Sequence, residues 1–337
     1  MDDSLLLKNL KFEETEAYEK GFSDYFEKKI KHELQPLEEL RIEKVEETEK
    51  RKGWAPIIVA IAFGVDAILF FAGFFHSTRA NSHSEGAVFA IPLITLFLVY
   101  GYIHAPENAY QAKVREILVP LLLSFFGEMR YDTEGKIGEE FLKASDIIYP
   151  YNDYSSLDFV HGDYKNTGFE IESASLTRGS GKHVSLVFGG KILLLKMKKT
   201  FQGKTIVKKD QGFFGNWDDR RHTKLEQIKL EDPRFEKVFE VYSTDQVEAR
   251  YLLTPAFMDR LVDLAAKFRS DSIQASFFDD FLLITFSNAT MQLVNLFQPG
   301  GLEESIINTE EIHEFLSQIR GLLSIIDILN LSSETGM

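Results

Sequence analysis

Two apolar runs constrain this chain more than anything else in it. The first is WAPIIVAIAFGVDAILFFAGFF, from Trp54 to Phe75. As a helix it is about 33 Å long, enough to cross a hydrocarbon core of about 30 Å. The second, AVFAIPLITLFLVYGYI from Ala87 to Ile103, gives about 25 Å, the short end of the spanning range. Trp54, Tyr100 and Tyr102 sit where interfacial aromatics belong. The joining segment HSTRANSHSEG is short and polar, so residues 54–103 are expected to form a transmembrane helical hairpin (54–75, 87–103). Arg41, Lys44, Lys50, Arg51 and Lys52 precede it, Lys113 and Arg115 follow it, and the joining segment holds only Arg79. That bias predicts a multi-pass membrane protein with both termini cytoplasmic and the lipid bilayer as its first partner. The polar residues 1–53 argue against a signal peptide. The opposing reading, two buried core helices, is weaker, because a core rarely needs two nearly uncharged runs of this length.

Asp66 interrupts the first run near its middle, and Thr95 lies at similar depth in the second. An ionisable group at that depth is costly and therefore a candidate functional residue. Two roles stay open for it: a protonated carboxyl bonded to Thr95 or to a neighbouring copy, which favours a homo-oligomer, or an ion or proton pathway.

Composition narrows the chemistry. The 337 residues hold no cysteine, which removes disulfides, thiolate metal sites and cysteine nucleophiles. With 52 acidic against 38 basic residues the net charge is -14. That balance, with no interleaving of basic and aromatic residues, argues against nucleic acid as a partner.

The fold expected is an α+β membrane protein. Residues 1–53 form a charged cytoplasmic helical segment, with Phe22, Phe26, Ile30, Leu34 and Leu37 on one stripe and a break or kink at Pro36. Residues 104–337 form a cytoplasmic domain of antiparallel sheet plus helices. A helix leaves the second span and bends at Pro120, and a short one covers 137–145. From about 156 the period becomes strand-like, with strands at 169–176, 183–199, 236–243 and 249–253. Thr254-Pro255 opens a helix, residues 272–287 form a hairpin about Asp279-Asp280, and Asn308 with Glu311 begins a strongly amphipathic last helix.

Familiar catalytic patterns are missing. RGSGKH at 178–183 lacks the first glycine and the final hydroxyl of a phosphate loop and reads as a hairpin turn. In DFVHGD, His161 and Asp163 share a strand face that Asp158 does not, too few ligands for a metal. Asp279-Asp280 reads as a turn former. No cofactor, metal or catalytic residue is expected. Lys191, Lys196, Lys198, Lys199 and Lys204, with Lys208 and Lys209 beyond them, crowd one segment. They form a candidate basic patch facing anionic lipid or a partner, against the alternative of an ordinary solvated surface.

The order of features resembles an uncharacterised bacterial family, a "domain of unknown function" group of two-span membrane proteins with a cytoplasmic α+β domain. The resemblance rests on Ser145, the segment Asp158 to Gly162, Glu172, the FQGKT turn at 201–205, and above all Tyr242 to Leu264. The chain departs from it at Gly189-Gly190-Lys191, where the family pattern is more aromatic. The resemblance implies a bacterial inner membrane and a LemA-like helical membrane protein as a partner, and it transfers no catalytic residue. The function expected is a membrane-anchored interaction or scaffold module without catalysis. Two alternatives are an ion- or proton-coupled membrane complex using Asp66 and a membrane-tethered enzyme.

Overall fold

In a computed structural model, residues 10–76, 85–209, 225–268, 272–287, 299–303 and 309–329 are described. The chain divides into two compact units, Met1–Leu118 with Gln298–Ile312, and Val119–Phe297 with His313–Met337.

The first unit opens on a carboxylate. Glu19 is fully buried and accepts from the Thr15 and Glu16 backbone N–H groups at 2.7 and 3.1 Å, closing a capping box around the turn Ala17–Glu19. Phe12 packs edge-on against Phe22 and beside Phe26. Helix α1 (Phe22–Tyr25) passes through a π-turn (Phe26–Ile30) into α2 (Lys31–His76). The expected stripe holds, with Phe22, Phe26, Ile30, Leu34 and Leu37 all buried. Pro36 does not end the helix: α2 runs through both Pro36 and Pro56, each removing one intrahelical hydrogen bond. Buried Glu38 takes two N–H bonds from Arg41, at 2.9 and 2.7 Å, and Arg41 also donates to the Leu302 carbonyl at 2.6 Å.

Helix α3 (Glu85–Ser124) likewise passes Pro120 unbroken. Among the described residues no helix is long and apolar enough to cross a membrane. The membrane-spanning hairpin is therefore corrected, and with it the multi-pass inner-membrane location and the membrane part of the fold class. In both helices the apolar stretch is continuous with charged turns, Lys50, Arg51 and Lys52 in α2 and Glu107, Lys113 and Arg115 in α3. Ile61, Ile68, Leu93 and Phe97 are nonetheless exposed on these helices.

The second unit is built on one nine-stranded antiparallel sheet, counted over the described residues. Its strands are β1 (Met129–Asp132), β2 (Asp153–Tyr164), β3 (Thr167–Arg178), β4 (Ser185–Lys196), β5 (Thr205–Lys209), β6 (Glu226–Ile228), β7 (Phe239–Ser243), β8 (Ser272–Phe278) and β9 (Phe281–Ser287). Their spatial order is β1-β2-β3-β4-β9-β8-β5-β7-β6. Lys165 and Asn166, both at positive φ, make the two-residue turn between β2 and β3. The hairpin about Asp279-Asp280 stands where the sequence puts it, with Asp279 at φ 50°. Between the strands lie α4 (Glu139–Ala144), α5 (Pro233–Glu236), α6 (Gln246–Leu252) and α7 (Pro255–Phe268), and α8 (Glu310–Leu329) ends the described chain. The strand expected at 249–253 is instead helix α6, because Asp245 caps it by accepting from the Val247 and Glu248 N–H groups. The Thr254-Pro255 start of α7 is as expected, with Thr254 Oγ1 accepting from Phe257. Asn308, half of the expected cap of α8, lies outside the described residues.

Strand β4 lies inside the sheet between β3 and β9, and its run Ile192-Leu193-Leu194-Leu195 is buried on both faces. It joins β9 in the register Gly190↔Ser287 to Lys196↔Phe281. Gly190 makes the close approach possible, since its φ is +156° and a Cβ there would lie 2.1 Å from the Phe286 carbonyl oxygen. Gly190→Ala is expected to lower stability by about 3 kcal/mol, read as a fall in urea midpoint. An unchanged midpoint would mean that β4 and β9 pair less closely than this.

Candidate functional site

The best-formed candidate lies where α4 meets β2. Helix α4 is short and closes on itself: Ser145 Oγ donates to the Leu142 carbonyl at 2.7 Å and accepts from the Ile147 N–H. Asp146 then takes a left-handed φ of 58°, a conformation aspartate tolerates, and turns the chain toward β2. Ile137, Leu142 and Ile147 are pinned into an apolar cluster with Phe159, Ala174, Leu176 and Ile192 on one sheet face. This holds residues 136–154 against the sheet and leaves a half-open groove of about 500 Å3. Its walls include Lys136, Glu139, Lys143, Tyr149, Tyr151 and Tyr154.

The groove stands on a sealed acid. Glu172 of β3 is 0% exposed. Its Oε2 accepts from the Ile137 N–H at 3.2 Å, and its Oε1 is bonded to the Tyr154 hydroxyl, which also lies 3.1 Å from the Ile137 carbonyl oxygen. The tyrosine has one proton and faces two acceptors. Both are satisfied when Glu172 is protonated: the carboxyl O–H donates to Tyr154, and Tyr154 donates to the Ile137 carbonyl. Burial agrees, because it raises the Glu172 pKa against the opposing effect of the bonds from Tyr154 and Ile137. Burial also raises Tyr154 and pushes Tyr151 up to about 12.

The walls are ordered by aromatic and ionic contacts. The Tyr151 and Tyr154 rings meet edge to face at 5.8 Å, and the Lys136 ammonium sits 4.6 Å above the Tyr154 ring. Glu139 accepts from Lys143 and from the Tyr151 hydroxyl. The Lys143 bond, and after it the Lys143 charge, lowers the Glu139 pKa. Tyr149 is 47% exposed. This is a rigid aromatic surface with polar tips, suited to recognition.

The residues singled out in the sequence fall in several places. Asp66 lies within α2 with its side chain outside the described ones, and Thr95 is half-buried in α3. Lys191 is half-buried on β4, opposite Ser173; burial lowers its pKa and the Asp158 charge opposes that. Lys196 pairs with Asp280, and Lys204 with Asp146. Lys198 is exposed, and Lys199 lies 4.3 Å over the Tyr251 ring. Asp158 is buried and accepts from Tyr131 at 2.6 Å, on the face away from His161. The FQGKT turn is gripped by Glu248, whose two carboxylate oxygens accept from the Gln202 and Gly203 N–H groups at 2.9 and 2.8 Å. Among the described residues no three His, Asp or Glu side chains gather as a metal site. The groove tyrosines were not among the sequence candidates, although YPYNDY places three of them within one short segment.

The raised pKa of Glu172 has a measurable consequence. A carboxyl with a raised folded pKa adds stability that is full below its unfolded pKa, near 4.5, and is lost as pH rises through the folded value. Glutamine supplies the same donor and acceptor without a charge. In urea melts Glu172→Gln is expected to match wild type below about pH 4 and to exceed it increasingly toward neutrality. A gap independent of pH would remove the proton from this carboxyl.

Residues 186–331 match a family described as protein of unknown function (DUF3137). An uncharacterised family is thus supported over the C-terminal part of the chain, including the Tyr242–Leu264 stretch, whereas its membrane topology is not. No curated protein matches the chain. Among solved structures, the crystal structure of the mycobacterial trehalose monomycolate transport factor A, TtfA, is similar at 13% identity and a TM-score of 0.30, over 60% of this chain and 88% of that one. That score is too low to transfer anything from that protein.

Proposed function

We propose that the sheet domain is a non-catalytic recognition module that holds an extended segment of a partner protein in the groove beside β2. The observation that carries this reading is a tyrosine-walled groove at the start of β2, where the strand has an open edge. Strand β1 pairs only with Phe159–Gly162 of β2. Among the described residues, Asp153–Leu157 therefore has β3 on one side and no strand on the other. An extended peptide added there gains backbone hydrogen bonds, and its alternate side chains meet Tyr149, Tyr151 and Tyr154. Proline or aromatic side chains fit between such rings. Recognition is favoured over catalysis because Glu172, whose pKa burial raises, is sealed beneath Tyr154 and does not itself line the groove.

A random peptide library displayed on phage and selected against the full chain tests this. The selected peptides are expected to carry proline or aromatic residues and to bind about tenfold more weakly to Tyr149→Ala and Tyr151→Ala proteins, the size expected for removing a central aromatic contact. Equal affinity for wild type and both variants would place recognition elsewhere and overturn the groove as the site.

A further inference from the structure

Helix α6 carries a second surface, independent of the groove. Val247 and Tyr251 are one helical turn apart and point outward, 80% and 67% exposed. Arg250 is exposed beside them, and Lys199 and Lys198 approach from the loop after β4, with the Lys199 ammonium 4.3 Å over the Tyr251 ring. The chain has 52 acidic residues against 38 basic ones. Several of its cations are ion-paired, Lys196 with Asp280 and Lys204 with Asp146 among them. Among the described residues Lys198, Lys199 and Arg250 have no carboxylate at ion-pair distance; Arg250 donates only to the Gln246 carbonyl of its own helix.

The platform is also rigid. Glu248, on the buried side of α6, holds the Gln202 and Gly203 amides. Thr244 Oγ1 accepts from the Lys204 N–H at 2.9 Å, and the Thr244 N–H returns a bond to the Lys204 carbonyl at 3.0 Å. The loop bearing Lys198 and Lys199 and the helix bearing Val247 and Tyr251 are thus stitched together before anything binds, which reduces the ordering entropy that binding must overcome.

We infer that this face of α6 is a docking surface for an acidic segment of a partner protein, one that sets an apolar residue on Val247 and Tyr251 and its carboxylates on Lys198, Lys199 and Arg250. Exposed tyrosine and arginine around an apolar centre are the residues that carry interface energy. Three cations without carboxylates in an acidic chain supply the complementary charge. A nucleic acid or a lipid surface would use the charge but leave the Val247–Tyr251 pair, a compact apolar anchor, without a matched pocket.

The test places the photo-reactive residue p-benzoylphenylalanine at Gln246 in the full chain, expressed in its own cells, and sequences the cross-linked product. The expected product is a peptide rich in aspartate and glutamate around an apolar residue. A synthetic copy of it is expected to bind the purified full chain, to weaken about tenfold with Tyr251→Ala and with Lys198→Glu/Lys199→Glu, and to weaken steeply as salt rises from about 0.05 to 0.5 M. Tyr151→Ala, in the groove, is expected to leave this binding unchanged, so failure here and failure of the groove reading are separable. A cross-linked peptide that is neutral or basic, a product that is lipid or nucleic acid, no product at all, or an acidic peptide indifferent to both variants would each overturn the proposal.

Discussion

A carboxyl group sealed from water on the inner side of a tyrosine is the constraint on which the groove depends. Glu172 belongs to β3, Tyr154 to β2, and Ile137 to the strap ahead of α4. A charged carboxylate at that position would need solvation that the site does not provide. A neutral one links three segments distant in sequence without a desolvated charge. The strap cannot lift without exposing Ile137, Leu142 and Ile147, and it cannot stay down without satisfying the Ile137 backbone and the Tyr154 hydroxyl. Apolar packing and hydrogen bonding therefore fix the same geometry, which is the consistency expected of a specified structure.

Much of the second unit was legible in the residue pattern because its signals are local. The apolar stripe of α8, the Thr-Pro opening of α7 and the aspartates between β8 and β9 each carry their information within a few positions. Helix α6 was misread because Tyr251, Leu252 and Leu253 favour a strand, while the deciding group, the Asp245 cap, lies outside that run. Two apolar runs suggested spans by their length, their near lack of charge and their aromatic ends, yet their charged flanks continue in the same helices, and no described helix has the length and apolarity together. Pro36 suggested a break or kink and Pro120 a bend; the helices continue through both, because each proline removes only one hydrogen bond from a helix held by many others.

The sites were harder to read for a related reason. Clustered lysines look alike in sequence, whereas their character depends on partners far along the chain. Asp280 meets Lys196 and Asp146 meets Lys204, while Lys198 and Lys199 find no carboxylate among the described residues. Alternation along β4 turns Lys191 toward Ser173, away from the cations that follow it. Glu172 and Ser145 stood out in the family resemblance, but only the fold shows that one seals the strap and the other closes α4. The Lys204–Asp146 pair also joins the rim of the groove to the turn held by Glu248.

The pairing of β4 with β9 sets the order in which this domain can be completed. Strands β1 to β4 are neighbours in the chain and form a local meander, but the partner of β4 is made only when synthesis reaches Phe281–Ser287. Until then β4 is an edge, paired on one side with β3, and the other side of its Ile192–Leu195 run has no strand beside it. Such long-range closure is slow, because loop entropy is spent before the contact returns anything. The same strand that anchors the finished sheet is therefore the segment of the nascent chain most open to association with other chains.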